Sequence, residues 1–216
     1  VSSKPSEDFS IENNSTSIDE TIANNVEPTI VEIEQPIETT KNNNNDSDTA
    51  KPTNKASLSN YKYYIKVNYT MNVVTIYEQD SNGDYTVPVK AMICSTGNAT
   101  PKSGVYSTSQ KMTWGNLVGG VYGQYCTRIV NSILFHSVPY LTKYDKGSLE
   151  YWEYDKLGTS ASMGCVRLKV IDAKWIYENI SAGTYVEFYA DSNPGPLGKP
   201  GAQKISGNTE CRGWDP

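Results

Sequence analysis

The sequence lacks the features that define several protein classes. No apolar run approaches the roughly 18 residues that cross a membrane, and no basic start followed by an apolar centre marks a signal peptide. Because the chain begins with Val1 rather than Met, we expect that an export segment has been removed. There is one histidine, and the four cysteines are far apart without a CxxC pair. A zinc site is therefore not expected, and no cofactor is predicted.

Hydrophobic residues are also scarce, at 37%, and charged residues make up only 20% of the chain. Both values are low for a chain that folds throughout. Residues 1–57 are rich in Ser, Thr, Asn, Glu and Pro, with Phe9 as the only aromatic. Such a segment cannot bury enough apolar surface to offset its chain entropy. We predict that 1–57 is a disordered linker.

The negative charge is placed unevenly along the chain. The net charge is −5, but residues 1–50 hold eleven acidic residues and two lysines, so the remainder is basic by four charges. A mildly basic folded part suits an anionic surface or polymer. The excess is far too small to indicate DNA binding, and no nucleic-acid partner is predicted.

Strand patterns begin at Tyr61, where tyrosine and tryptophan become frequent. Alternation predicts strands at 61–69, 73–77, 104–107 and 185–190. An Asn-Gly hairpin at 80–84 leads into a strand at 85–94, which Pro88 places at an edge or a bulge. Residues 128–136 read as one buried strand ending at His136, and 139–160 as a long polar and aromatic excursion.

One helix is predicted, at about 170–180, with an apolar stripe of Ile171, Trp175, Ile176 and Ile180. Many strands with one main helix predict a mostly-β sandwich or barrel. We assign 1–57 to the linker, 58–190 to a catalytic domain, and 191–216 to an extended segment packed on that domain.

The candidate catalytic residues lie in two segments of the chain. His136 is the single imidazole, and Cys165 lies in the turn Ser162-Met-Gly-Cys165-Val-Arg167. Small neighbours let a substrate carbonyl approach the sulfur, and the backbone N–H groups of Gly164 and Cys165 can point at an oxyanion. A thiol needs a base to become a thiolate, and His136 is the only imidazole available. At strand spacing, Cys165 and Arg167 share a face.

The block from His136-Ser137 to Ser162-Met-Gly-Cys-Val-Arg167 resembles the active-site motif of the L,D-transpeptidase (YkuD-type) catalytic domain. The segment Cys94-Ser-Thr-Gly97 to Thr100-Pro101-x-x-Gly104 is similar to another part of the family pattern. Leu134–Tyr140, Leu157–Thr159 and Asp172–Tyr177 resemble a subgroup from Gram-positive, largely anaerobic bacteria. The resemblance covers about 61–216.

The resemblance implies a function for each of these residues. Cys165 would attack a peptidoglycan tetrapeptide, and His136 would act as base and then as acid. Ser137 would orient His136 through its carbonyl or hydroxyl, and Gly164 would help to hold the oxyanion. Arg167, Ser162 and Tyr140 would bind substrate or order the turn. The product would be a 3–3 crosslink, or a trimmed peptide if water replaces the acceptor amine. We expect a monomer on the outer face of the cell, in the wall or tethered to the membrane, and a target of carbapenems.

Two departures from the family pattern are visible. Met163 stands where many members have histidine, and Cys165 follows His136 by 29 positions, which is more than usual. We interpret the excess as an inserted flap over the site at about 141–157. Two alternatives stay open, a sortase-like cysteine transpeptidase and a non-catalytic wall-binding domain.

The other cysteines give a separate prediction. Cys94 is expected to be a buried thiol, while Cys126 and Cys211 lie in segments expected at the surface. In an oxidising compartment these two could form a disulfide that attaches the C-terminal segment to the domain. The alternative is two free surface thiols.

Overall fold

Nine strands pair into one curled sheet in the part of the chain that the structure, a computed structural model, describes, residues 61–207. The predicted linker at 1–57 and Cys211 lie outside the described residues. The strands are β1 Tyr63–Asn68, β2 Val73–Glu78, β3 Val87–Ser95, β4 Gly104–Ser107, β5 Lys111–Asn116, β6 Tyr122–Val130, β7 Ile133–Ser137, β8 Val166–Leu168 and β9 Tyr185–Tyr189. The helices are α1 Tyr151–Tyr154 and α2 Val170–Asn179, with a 3-10 turn at Lys146–Ser148. The prediction of a mostly-β fold with one main helix is confirmed.

The strand order is β4-β9-β1-β2-β3-β8-β7-β6-β5. Neighbours pair antiparallel except for β1 with β9 and β7 with β8, which run parallel. The short strand β8 therefore joins two halves of the sheet, with β3 on one side and β7 on the other. None of the helices within 61–207 is long and apolar enough to cross a membrane.

The main core lies between the sheet and α2. Alternation in β1 buries Ile65 and Val67, whose partners in β2 are Ile76 and Val74, and all four are fully buried. Phe135, Val166 and Leu168 extend this layer into β7 and β8. Burying these branched side chains on one face stabilises the sheet and fixes its register, because a slip of one residue would expose them.

The helix α2 is confirmed, but its buried face differs from the predicted stripe. Ile171 is 63% exposed, whereas Asp172, Ala173 and Ile176 are buried. The helix begins at Val170, so Ile171 falls on the outer side of its first turn. The carboxylate of Asp172 is accommodated by Lys90, whose Nζ lies 3.3 Å from Oδ1.

The prediction of one strand over 128–136 is wrong. The segment holds the end of β6 and the start of β7, joined by a tight turn at Asn131 and Ser132. Asn131 has a φ of +48°, a left-handed conformation that asparagine tolerates better than branched residues. The apolar run hid the turn because Asn-Ser is a weak hairpin signal compared with Asn-Gly.

A second, smaller core forms beneath the excursion that follows β7. It is built by Ile93 of β3, Tyr154 of α1 and side chains from irregular segments: Val138, Tyr140, Leu149, Leu157 and Ile205. The described part of the C-terminal segment packs against it. Asp155 accepts hydrogen bonds from the backbone N–H groups of Ile205, at 2.6 Å, and Ser206, at 3.2 Å.

The cysteine prediction is wrong for Cys126. It lies within β6, is fully buried and is a free thiol. Its sulfur donates to the carbonyl of Gly123 at 3.4 Å. Cys211 lies outside the described residues, so the predicted disulfide stays a prediction. Cys94 is buried in β3, as predicted.

Candidate active site

The parallel pairing of β7 with β8 brings the predicted reactive residues together. His136 lies opposite Arg167, and Cys165 lies two residues before Arg167, immediately ahead of β8. Strand spacing and rise place the Cα atoms of His136 and Cys165 about 8 Å apart, within reach of an imidazole and a thiol. Phe135, Val166 and Leu168 occupy the opposite face and belong to the main core. In this strand pair, one face therefore packs in the main core and the other face carries His136 and Arg167.

His136 is held in one tautomer by its own strand. Its Nδ1 lies 2.5 Å from the carbonyl oxygen of Ser137, and a carbonyl can only accept, so Nδ1 carries the proton. The lone pair of Nε2 is left to act as a base. The Ser137 hydroxyl is used elsewhere, since it donates to the carbonyl of Val138 at 2.8 Å and accepts from the N–H of Gln124 at 2.9 Å. Of the two predicted routes from Ser137 to His136, the structure contains the carbonyl.

Burial keeps the imidazole neutral. His136 is 2% exposed, and desolvation lowers its pKa from 6.5 to about 4. The hydrogen bond to Ser137 opposes this shift, and the charge of Arg167 adds to it. Gly123 packs on the ring: a Cβ there would lie 3.0 Å from His136 Nδ1. A side chain at this position would push the imidazole away.

The turn that carries Cys165 is tied to the loop after β3. Thr100 Oγ1 donates to the carbonyl of Gly164 at 2.6 Å. Ser162 Oγ donates to the carbonyl of Cys165 at 2.6 Å, a hydrogen bond within the turn. A Cβ on Gly164 would meet Ile133 Cδ1 at 2.9 Å and Ala99 Cβ at 3.0 Å. A side chain at 164 would therefore press on Ile133 and Ala99.

The thiol of Cys165 is half-buried and donates to the carbonyl of Ser132, in the β6–β7 turn, at 3.5 Å. Desolvation raises its pKa, while a backbone hydrogen bond from Leu134 and the charges of Arg167 and Arg128 lower it. The raised pKa of the thiol and the lowered pKa of the imidazole favour a neutral thiol beside a neutral imidazole. To act as a nucleophile, a thiol in this state would have to lose its proton.

Arg167 is held by two acceptors. Its Nη1 lies 2.6 Å from Glu153 Oε2, on α1, and donates to the carbonyl of Ala161 at 3.0 Å. Both charged side chains are only 15% exposed. The other carboxylate oxygen of Glu153 lies 2.5 Å from Lys156 Nζ.

These residues open onto a cavity of about 300 Å³. His136, Cys165 and Arg167 line it, together with Ser162, Met163 and Gly164. The rest of its wall comes from the loop after β3, the end of β5 and the β5–β6 turn, the β6–β7 turn with the start of β7, and Pro139, and most of it is apolar. Met163 is 66% exposed at the mouth, in the place of the family histidine. Within 61–207 no cluster of three or more potential metal ligands is present.

Two predictions about the site are wrong. Tyr140 does not line the cavity: it is 1% exposed in the second core, with its ring centroid 5.2 Å from that of Trp114. The segment 141–157 contributes no residue to the cavity wall, so it is not a flap over the site. The segment packs into the second core because Leu149, Tyr154 and Leu157 are apolar and are buried there together.

Sequence reasoning missed three residues that shape the site. Gly123 and Glu153 received no prediction, and Thr100 was noted only as part of a family pattern. A glycine-rich strand is a signal for close backbone approach, which is what Gly123 provides. Nothing local marks Glu153, because its partner is fourteen residues away and reaches it only through the fold.

Comparison with known proteins identifies relatives. The sequence model of the YkuD family, described as the L,D-transpeptidase catalytic domain, matches residues 62–188. YciB of Bacillus subtilis (strain 168), whose name classes it provisionally as an L,D-transpeptidase, is 40% identical over 113 residues. That alignment covers 50% of this chain and 57% of YciB, so the chain spans little more than half of this relative.

Solved structures with a similar fold include an L,D-transpeptidase from Mycobacterium smegmatis. It is 17% identical with a TM-score of 0.48, and the match covers 60% of this chain and 59% of the other. Another is a fused Zn-dependent amidase/peptidase/peptidoglycan-binding domain-containing protein from Clostridium acetobutylicum ATCC 824. It is 22% identical with a TM-score of 0.44, and the match covers 59% of this chain and 52% of the other.

Proposed function

This chain belongs to the family of L,D-transpeptidase catalytic domains, and from that premise we propose that it transfers peptidoglycan stem peptides through an acyl-enzyme on Cys165. The observation that carries the proposal is the shared cavity of His136, Cys165 and Arg167, in which the imidazole is locked with Nε2 available. A wall-binding domain without catalysis would not need that tautomer, and the family match argues against a sortase-like enzyme.

Acylation follows from the protonation states. Nε2 of His136 takes the thiol proton as the Cys165 sulfur attacks the carbonyl of the third stem residue. The backbone N–H groups at Gly164 and Cys165 stabilise the oxyanion. The bond to the terminal D-Ala nitrogen then breaks, the imidazolium returns its proton to that nitrogen, and a thioester remains. A neutral starting pair suits this route, because the proton moves only when the substrate is present.

The group that attacks the thioester during deacylation determines the product. The side-chain amine of a neighbouring stem loses a proton to Nε2 and attacks the thioester, which gives a 3–3 crosslink and restores the thiol. Water in the same position gives a tripeptide, the L,D-carboxypeptidase outcome. The largely apolar cavity wall favours the amine by limiting water near the thioester. The substrate would place the working enzyme outside the cell, at the wall.

Carbapenem labelling of the full chain, measured by intact mass, tests the nucleophile. We expect one stoichiometric adduct on the wild-type protein and on Cys126→Ala, and none on Cys165→Ala. Cys126 is the matched control, because burial raises the pKa of its thiol to about 12 and makes it unreactive. An adduct retained by Cys165→Ala would overturn the assignment.

The reaction itself is tested by digesting purified tetrapeptide muropeptides and analysing the products by mass spectrometry. Crosslinked dimers linked through two diamino acids support transpeptidation, whereas tripeptides alone reduce the proposal to trimming. The variant His136→Gln should acylate 10²–10⁴ times more slowly, which is the range for loss of a general base. An unchanged acylation rate would show that another group removes the proton.

A further inference from the structure

The ion pair between Glu153 and Arg167 joins the excursion after β7 to the reactive strands. Arg167 lies beside His136 in the β7–β8 pairing and lines the cavity, while Glu153 does not reach the cavity. The two charged groups meet at 2.6 Å with 15% exposure each, so water screens them less than a surface pair. A carboxylate placed here contacts the site only through the guanidinium.

We propose that Glu153 is a positioning residue: it fixes the Arg167 guanidinium beside His136 and Cys165 and offsets part of its charge. The carbonyl of Ala161 holds the same nitrogen from a second direction, at 3.0 Å. Both acceptors bind the same nitrogen, Nη1, and Arg167 still lines the cavity.

The second core explains how so short a helix can hold a charge in place. Glu153 is preceded by Leu149 and followed by Tyr154 and Leu157, and all three are at most 2% exposed. These buried side chains fix the backbone on both sides of Glu153, so its carboxylate loses little further freedom when it pairs. The long segment between His136 and Cys165 thus supports Arg167 and does not cover the site.

Electrostatics connect this support to reactivity. The charge of Arg167 lowers the pKa of both the Cys165 thiol and His136. Glu153 opposes that influence. The other charged or titratable groups nearby are Arg128 and Cys126 on β6, and Glu150 and Lys156 beside α1. None of these is as close to the guanidinium as Glu153.

The test is the pH dependence of Cys165 alkylation by iodoacetamide, followed by peptide mapping of the full chain. In Glu153→Gln the amide oxygen can still accept from Arg167, but the negative charge is gone. The midpoint of the alkylation profile should fall by about half a pH unit or more. In Arg167→Gln it should rise by a similar amount, because the carboxylate stays and the cation is lost.

Opposite signs from the two halves of one pair distinguish this role from packing, since general loosening of the site would move both variants in the same direction. Glu178→Gln is the matched control. It makes the same chemical change in an exposed α2 pair, whose Lys174 Nζ lies 2.5 Å from Glu178 Oε1, and should leave the midpoint unchanged. Shifts of the same sign, or no shift in either variant, overturn the proposal, and Glu153→Ala, which also removes the charge, replaces Glu153→Gln if the latter does not fold.

The proposal rests on the proposed function only in taking Cys165 as the nucleophile. Alkylation requires no peptidoglycan, so the two can fail separately. A second readout uses turnover of muropeptides: Glu153→Gln should retain more activity than Glu153→Ala, because only glutamine keeps an acceptor for the guanidinium. Equal losses in both variants would argue against positioning.

Discussion

The two cores of the domain support the site by different means. The main core is built on paired strands, in which alternation decides which side chains are buried and hydrogen bonds fix the register. Apart from Ile93 of β3, the second core is built on turns, a one-turn helix and the C-terminal segment, and aromatic and aliphatic side chains hold it together. The first places His136 and Cys165, and the second places Glu153. Regular structure here sets the positions of the reactive atoms, while irregular structure adjusts their charge environment.

The largest expected effect is in the main core. Phe135→Ala removes a fully buried ring from the face of β7 opposite His136 and should lower the free energy of unfolding by about 4 kcal/mol. Urea denaturation followed by tryptophan fluorescence measures it. Ile171→Ala, on the exposed side of α2, is the control and should change stability by less than about 0.5 kcal/mol. A loss of less than about 1 kcal/mol for Phe135→Ala would mean that this layer is not the main core.

The second core should yield a smaller and more local loss. Leu157→Ala should cost about 3 kcal/mol, because a 2% exposed side chain leaves a cavity among irregular segments. Hydrogen exchange should show faster exchange at residues 149–157, with the amides of β2 and β3 still protected. Equal loss of protection in both regions would show that the two cores unfold as one unit.

Lowering the pH should reduce the free energy of unfolding, because His136 is buried in its neutral form. The pKa of His136 falls from 6.5 to about 4 on folding, so the unfolded chain binds more protons between these values, and stability is lost as pH falls. From pH 7 to pH 5 this contribution is about 2 kcal/mol. Denaturation of wild type and His136→Gln across that range measures it. Equal pH slopes in the two proteins would contradict the buried neutral imidazole.

The smallest expected effect comes from Ser137→Ala, which distinguishes the hydroxyl of Ser137 from its backbone carbonyl. Ser137→Ala removes the hydroxyl that accepts from Gln124 but keeps the carbonyl that holds His136. We expect a loss of about 1 kcal/mol in stability and less than a tenfold change in carbapenem acylation. A far larger loss of acylation, in protein that still melts near the wild-type temperature, would assign the orienting role to the hydroxyl.

Sequence patterns predicted the parts of the molecule that local physics determines. The strands β1, β2, β4 and β9 and the helix α2 follow from alternation and helical spacing. His136 and the Cys165 turn were found because their chemistry is rare in this chain. The turn at Asn131 and Ser132 was missed because an apolar run continues through it.

The errors at Tyr140, Cys126 and 141–157 share one cause. Each concerned a polar or aromatic stretch whose burial depends on partners far along the chain, as when Ile205 closes the second core. Glu153 could not be predicted for the same reason, since only the fold brings it to Arg167. Local patterns carry no information on such contacts.

The attachment of the C-terminal segment has a mechanical consequence. Asp155 holds the backbone of Ile205 and Ser206, and Asn68 Nδ2 donates to the carbonyls of Asp191, at 3.0 Å, and Asn193, at 2.9 Å. Tension applied to the chain at residue 207 would therefore reach the turn after α1 first and the sheet only afterwards. Because α1 also carries Glu153, stretching would loosen the support of Arg167 while His136 and Cys165 kept their places. The order in which these attachments yield is set by their positions along the chain.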